Sequence, residues 1–366
     1  MVRRLWRLGL DLTTILLLLL LSARLVYVAS LWWVQLLAVG LPLGMGFYGV
    51  LLLLGWSRIG WARRTIAILV FLVFFSRFGP WWNNISSPQD AEGSTLKVLS
   101  YNVFQTRLDA VGQAQVLVDT LLVLNPDVVA LQEWWANVRR DGTPVGRTSS
   151  QMLVRQTGLK PHGNIRLPSA KMPLGTLFTR CEATDAEVIP LPRDPYRQFM
   201  ARSFSRVVCE IDGVPVALYN VHLETYGAAK PWDDEALRDA SHRRSRVRDF
   251  LQTYRLAIAS RENQARFVRK QLAEEPLPFI LMGDFNATRH QHVYREITAG
   301  FSDACVGRSW LEGGTYHTAL PLVTIDFIIT SKHFRTDGCR AVDLNVSDHR
   351  PQLASVVLLH PPQRPQ

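Results

Sequence analysis

The first 85 residues contain no lysine and no glutamate, and a single acid, Asp11, against eight arginines. That segment carries +7 of the chain's formal +10, which leaves the remaining residues at +3. A strongly basic globular domain, the electrostatic footprint of nucleic-acid binders, is therefore missing from the rest of the chain. Cysteine is scarce: Cys181, Cys209, Cys305 and Cys339 are the whole complement. No C-x-x-C pair occurs among them, which excludes zinc-ribbon spacing. They read either as small buried apolar side chains or as two disulfides in an oxidising compartment. No internal repeat is visible, which excludes solenoid and propeller arrays.

What the N-terminal segment does have is apolar length. Leu12 to Leu21 is almost pure leucine, and apolar character resumes after Arg24 through Trp33. Val34–Trp56 is a second run, and Ile66–Phe75 a third. A helix needs roughly 20 such residues to cross a bilayer, so the first two runs suffice and the third is marginal. Arg3, Arg4 and Arg7 ahead of the first run also fit a cleaved signal peptide, but two further runs argue for an anchor. Trp32, Trp33, Trp56, Trp61, Trp81 and Trp82 suit interfacial belts. Arginines cluster before the first run and again at Arg58, Arg63 and Arg64, and positive ends stay cytoplasmic. Three spans would place the large C-terminal portion on the extracytoplasmic side of a cell membrane; two would leave it inside. Residues 1–85 are thus expected to be an all-α transmembrane anchor of two to three helices. Residues 86–94 form a polar linker, and 95–366 a folded domain.

In that domain short, β-branched apolar runs recur: Leu96–Val103, Asp127–Leu131, Thr176–Thr179, Val207–Ile211, Val214–Leu223, Phe279–Met282, Ile325–Thr330 and Leu353–Leu359. They have strand length and little alternation, so both faces should be covered. Val111–Leu124 has helical periodicity and stops at Asn125-Pro126. Arg238–Ala273 reads as a longer helical stretch broken near Ala259-Ser260. Its part from Arg238 to Lys270 holds ten basic and three acidic residues. A solvated face is the plain meaning of such a run, and contact with anionic lipid or a polyanion the functional one. The mixture implies layers of sheet flanked by helices.

Polar residues stand where these runs end. Asn102 ends LKVLSYNVF, Glu133 follows DVVALQ, and His222 lies in LYNVHLE. Asp284 and Asn286 occupy GDFN after FILM; Asp326 lies within TIDFIIT; Asp348 and His349 belong to SDHRP. Strand ends present side chains to a crevice from a rigid backbone. A buried carboxylate such as Asp326 is costly without a partner, which argues against a merely structural role. Glu133 and Asp284 alone would equally suit a helix first turn and a turn after a strand. His290 and His292 (RHQH), two apart in a helical pattern, fall on different faces and read as surface. Tyr316, His317 and Arg350 are candidates for the pocket wall.

From Leu96 to Leu359, in order, these strings resemble the endonuclease/exonuclease/phosphatase superfamily; GDFN and SDHRP are its most specific motifs, and GTLFTR at Gly175–Arg180 resembles one of its strands. The resemblance implies an α+β fold, a four-layer sandwich of two packed mixed β-sheets flanked by helices. It also implies Mg²⁺ or Mn²⁺ held by Asn102, Glu133 and Asp348. Asp284 would orient and deprotonate the attacking water. Asn286, pointing the same way in an extended segment, would help fix water or phosphate. His349, paired with Asp326, and His222 would donate to the phosphate oxygens. Thr324 departs from the pattern, standing where many relatives carry arginine, and the insertion between His222 and Asp284 is long.

The expected function is metal-dependent hydrolysis of a phosphoester by a multi-pass, membrane-anchored domain. The bilayer is one partner, and the substrate is a lipid-linked or envelope phosphate. A membrane-anchored nuclease acting on nucleic acid is the alternative within enzymes, and an inactive envelope binding protein the alternative outside them.

Overall fold

The computed structural model describes residues 2–78, 93–104, 112–134, 137–138, 144–145, 148–162, 176–192, 203–226, 240–306, 314–318 and 321–359. Most of the expected linker, up to residue 92, lies outside the described residues. The chain forms two compact units. One comprises Met1–Pro80, Glu224–Ala265 and Ala287–Ile297; the other comprises Trp81–Leu223, Arg266–Asn286 and Thr298–Gln366.

The helical unit begins with α1 (Val2–Ser22), α2 (Trp32–Ala38), α3 (Leu41–Gly55) and α4 (Trp61–Phe75). Leu10, Leu17, Leu21, Ala38, Leu41, Met45, Tyr48, Ala67 and Val70 form their shared core. Among the described residues no single helix is long and apolar enough to cross a membrane. Ala29–Ala38 with Leu41–Arg58, bent by 65°, meets that length and composition only as a pair. The bend falls at Val39-Gly40, ahead of a Leu-Pro step that opens α3 and supplies no N–H to continue the preceding helix.

The sheet unit follows from period-two burial. Its elements are β1 (Gly93–Asn102), α5 (Gln113–Leu124), β2 (Val128–Gln132), β3 (Asn137–Val138), β4 (Pro144–Val145), α6 (Thr148–Thr157), β5 (Lys160–His162), β6 (Thr176–Thr179), β7 (Ala183–Pro190), β8 (Ser203–Ile211) and β9 (Val214–His222). Then come α7 (Ala240–Glu274), which begins in the helical unit, β10 (Phe279–Asp284), α8 (His292–Thr298), β11 (Ser302–Asp303), β12 (Asp326–Thr330), β13 (Phe334–Ala341) and β14 (Gln352–Leu359). One six-stranded sheet has the order β13-β14-β1-β2-β6-β5, the other β11-β12-β10-β9-β8-β7. β1/β2 and β9/β10 pair in parallel and their neighbours antiparallel, so both sheets are mixed.

Alternate residues meet between the sheets: Leu96, Val98, Val128 and Ala130 from the first against Val207, Val216, Leu218, Ile280, Met282 and Ile328 from the second. The intervening Leu99, Tyr101, Val129 and Leu131 face outward onto Leu117, Val118 and Leu121 of α5 and Leu153 of α6. Phe267 near the end of α7 packs edge-on against Phe204 of β8. This is the sandwich of two mixed sheets flanked by helices that the motifs implied.

One sequence expectation changes, two strands are added to those expected, and the open choice between free and bonded cysteines is decided. The charged helix is unbroken over 35 residues, Ala240–Glu274. It contains neither glycine nor proline, and Ala259-Ser260 is no obstacle to a helix. Strands β7 and β13 escaped notice because they are edge strands with almost no fully buried residue and no apolar run. The cysteines are all bonded: Cys181 to Cys209, and Cys305 to Cys339, with Cα–Cα distances of 5.9 and 5.2 Å. The second bridge joins Cys305, two residues beyond β11 at the rim of one sheet, to Cys339 of β13 at the rim of the other.

Candidate active site

The two central parallel pairs set the site. In the second sheet His222 of β9 lies in register with Asp284 of β10, and Asp284 with Asp326 of β12. Three chemical groups therefore share one row across adjacent strands. Gly283 makes the close pairing of β9 and β10 feasible, since a Cβ there would lie 2.0 Å from the carbonyl oxygen of Val221. In the first sheet Asn102 ends β1 and Glu133 follows β2, the two strands running parallel.

A buried polar bolt aligns the two rows. Gln132 of the first sheet donates through Nε2 to Asn220 Oδ1 of the second at 2.7 Å. Asn220 donates back to the carbonyls of Leu131 and Thr176 at 3.0 and 3.1 Å. Sequence reading passed over Gln132 and Asn220 because they stand inside apolar strings; the one available signal was amides at positions facing the inter-sheet core.

The rows converge on one point. Asn102 Nδ2 lies 3.1 Å from Asp284 Oδ2 and 3.3 Å from Glu133 Oε1. His222 Nε2 is 3.6 Å from the same Asp284 oxygen and 3.9 Å from the same Glu133 oxygen. His349 Nε2 is 3.8 Å from Asp284 Oδ2 on another side, and its Nδ1 meets Asp326 at 3.0 and 3.2 Å. Ser347 Oγ donates to the Asn102 carbonyl at 2.8 Å, tying the SDHRP loop to β1, and touches Asp348 Oδ1 at 3.4 Å. The Tyr316 ring lies 4.9 Å from that of His349. Asp284, Asp326 and His349 are almost wholly shielded from solvent, whereas Glu133 keeps an open edge.

Electrostatics follow from this packing. Burial, and then the charge of Asp326, raises the Asp284 carboxyl to about 7. Burial opposes a charge on His349, yet the Asp326 carboxylate beside it more than compensates, with Asp284 and Asp348 adding to the effect, and His349 titrates at about 10. A base poised near neutrality thus stands next to a fixed imidazolium.

Not every predicted residue acts as read. Asn286 is not in an extended segment: it adopts left-handed backbone, φ 49°. Its N–H donates to Asp284 Oδ1 at 2.7 Å and its Nδ2 to the Leu223 carbonyl at 3.1 Å, so the turn itself orients Asp284. Glu133 also has positive φ, 54°, a conformation that costs an L-residue about 1–2 kcal/mol and is tolerated where surroundings impose it. Arg350 pairs with Asp343 at 3.2 Å. The RHQH histidines are not surface residues: His290 is buried, and His292, half-buried, meets Glu262 at 2.7 Å.

Two carboxylates and an amide facing one another suit a hard divalent cation, which takes oxygen ligands. Here the Asn102 amide group fills the gap between Glu133 and Asp284, where opposed negative charge calls for a cation. Asp284, Asp326 and His349 also present ligand atoms within 4.8 Å of one another.

Residues 99–349 match the model of the Endonuclease/Exonuclease/phosphatase family, and the chain belongs to that family. Its members hydrolyse phosphoester bonds and generally use divalent metal ions. A solved endonuclease/exonuclease/phosphatase from Beutenbergia cavernae DSM 12333 superposes with a TM-score of 0.51 at 18% identity, covering 72% of this chain and 72% of that one. A family protein from Bacteroides thetaiotaomicron gives 0.52 at 16%, covering 73% and 99%. A mannosyl-6-phosphatase from Bacteroides thetaiotaomicron VPI-5482 gives 0.51 at 16%, covering 72% and 100%. At these identities the likeness is one of fold. No curated protein matches the chain in sequence.

Proposed function

We propose that the chain is a divalent-metal-dependent phosphoesterase, anchored in a cell membrane by its N-terminal helices and acting on a lipid-linked or envelope phosphate on the extracytoplasmic side. The observation that carries the chemistry is the meeting of Asn102, Glu133, His222, Asp284 and the Asp326–His349 pair around one point. Asn102 and Glu133 would hold Mg²⁺ or Mn²⁺, with Asp348 adding a ligand or holding bound water. Such an ion neutralises phosphate oxygens that otherwise repel a nucleophile. Asp284, oriented by the Asn286 turn, accepts the proton of the attacking water. His349 donates from Nε2 to a non-bridging oxygen while Asp326 holds Nδ1, and His222 donates from a second direction. The two disulfides support an oxidising compartment, and the arginines at both ends of the first two apolar runs support the matching topology.

The test is hydrolysis by the full chain in detergent. Lipid phosphates, a soluble phosphodiester and DNA are offered with Mg²⁺ or Mn²⁺, with and without chelator. Turnover of lipid phosphates that chelation abolishes is the expected result. Turnover of DNA alone would replace this reading with a nuclease, and no turnover on any substrate would leave a binding protein.

A further inference from the structure

The helical unit has two ends of different character. At one, Arg7 donates to the Arg58 carbonyl at 3.1 Å, and Arg63 meets Asp11 at 2.8 Å through two nitrogens. At the other, Arg77, just beyond α4, donates to the Leu21 carbonyl at the end of α1, and Gln35 of α2 donates to the Ala23 carbonyl at 2.7 Å. The start of α8 closes onto this second end. Gln291 Nε2 donates to the Gln35 carbonyl at 2.8 Å, Arg295 donates to the Leu25 carbonyl at 2.8 Å, and the His290 ring stacks on Phe74.

Cations gather there. Arg24 lies over the Tyr294 ring at 5.4 Å. Burial drives His290 down to about 3, and the charges of Arg77, Arg24 and Arg289 push the same way, so the imidazole is neutral. Burial, and then the neighbouring Arg24, also lowers Arg77. Arg77 Nη1 is sealed from solvent without an acceptor, and Arg77 has no ion pair among the described residues. A guanidinium N–H shut away without an acceptor is costly, and an anion at this end would supply one for Arg77. By the rule that sends six of the other arginines to the cytoplasmic end, these two should not be here. Leu25, Val26, Val28 and Leu31 are exposed beside them, so the cluster sits at a boundary between charge and open apolar surface.

We infer that Arg24 and Arg77, with Arg289 beside them, hold the phosphate of an anionic membrane lipid at this end of the helical unit. The inference rests on the membrane reading above. It concerns a site separate from the catalytic row, since none of these arginines belongs to that row. Guanidinium groups fit phosphate oxygens through paired N–H donors, and the adjoining leucines and valines would meet the acyl chains.

The test follows thermal unfolding of the full chain in detergent, with EDTA present so that turnover contributes nothing. Phosphatidylglycerol, phosphatidylcholine and inorganic phosphate are titrated in separate arms. Phosphatidylglycerol is expected to raise the midpoint, and the other two to leave it unchanged. Arg24→Gln/Arg77→Gln should weaken the apparent affinity about thirtyfold, at roughly fivefold per arginine near an anionic surface. Arg24→Lys/Arg77→Lys, which keeps the charge and loses the paired donors, should fall between the parent and the glutamine variant. An unaltered response in the glutamine variant, or an equal response to phosphatidylcholine or to inorganic phosphate, would overturn the inference. Should the double variant fail to fold, Arg24→Gln alone is read for its fivefold share. Hydrolysis of a soluble phosphodiester is measured separately with metal. In the unsubstituted chain, hydrolysis without any response to phosphatidylglycerol sinks this site alone, and a response to phosphatidylglycerol without hydrolysis sinks the enzyme reading alone.

Discussion

At the residue scale the chemistry depends on a proton balance among Asp284, Asp326 and His349. Turnover should rise with pH as Asp284, raised to about 7, becomes a base, and fall as His349, raised to about 10, loses its proton. Asp326 raises both groups, so Asp326→Asn should move both limbs of the pH–rate profile toward lower pH. A profile whose alkaline limb stays in place would separate His349 from its assigned role. Asp284→Asn removes the base but keeps the side chain's shape. It should lower kcat on the order of 10²–10⁴-fold, with thermal stability kept or increased because a buried carboxyl is gone. At this scale the sequence was most informative: Asn102, Glu133, His222, Asp284, Asp326 and His349 all stood at strand ends or in family strings, and the structure gathers them. Asn286 was misread because side-chain alternation holds only in extended backbone, and a φ of 49° turns the residue elsewhere.

Among elements, the pairing of β9 with β10 and the amide contact between the sheets keep the site in register. Asn220→Ala would take from buried Gln132 its shortest partner, leaving its Nε2 only the 3.3 Å contacts with Ser100 Oγ and the Ala130 carbonyl, and would remove the amide donor to the carbonyls of Leu131 and Thr176. Buried groups left unpaired cost about 1–3 kcal/mol each, partly recovered by relaxation, so a loss of roughly 2–4 kcal/mol is expected from denaturant midpoints. Catalysis should suffer as well, because the two rows would no longer be held together. The central strands were legible because their apolar runs are continuous, whereas β7 and β13 were not, since an edge strand is specified by its neighbour and not by its own hydrophobicity. The RHQH pair was misread for a related reason. What buries it is α4, through Phe74, and α7, through Glu262, both distant in sequence.

For the whole molecule, the oxidised state matters. The Cys305–Cys339 bridge spans 34 residues and links the rims of the two sheets. Cross-links of that span stabilise by about 3–4 kcal/mol through restriction of the unfolded chain. Cys305→Ser/Cys339→Ser should therefore lower stability by about that amount under non-reducing conditions, measured by urea unfolding of the full chain, and a reductant should abolish the difference between variant and parent.

The helical unit is assembled from pieces that ribosomes deliver far apart. Its first 80 residues emerge well before Glu224–Ala265 and Ala287–Ile297, which complete it. At about 5–20 residues per second the interval is roughly 10–40 s. During that time Gln35 lacks Gln291 and His292, and Leu25 lacks Arg295. The N-terminal helices cannot be a finished tether to which a domain is later added. Grafting them onto another protein should give a poorly packed product, whereas a fragment ending near residue 300 would already contain every segment of the unit.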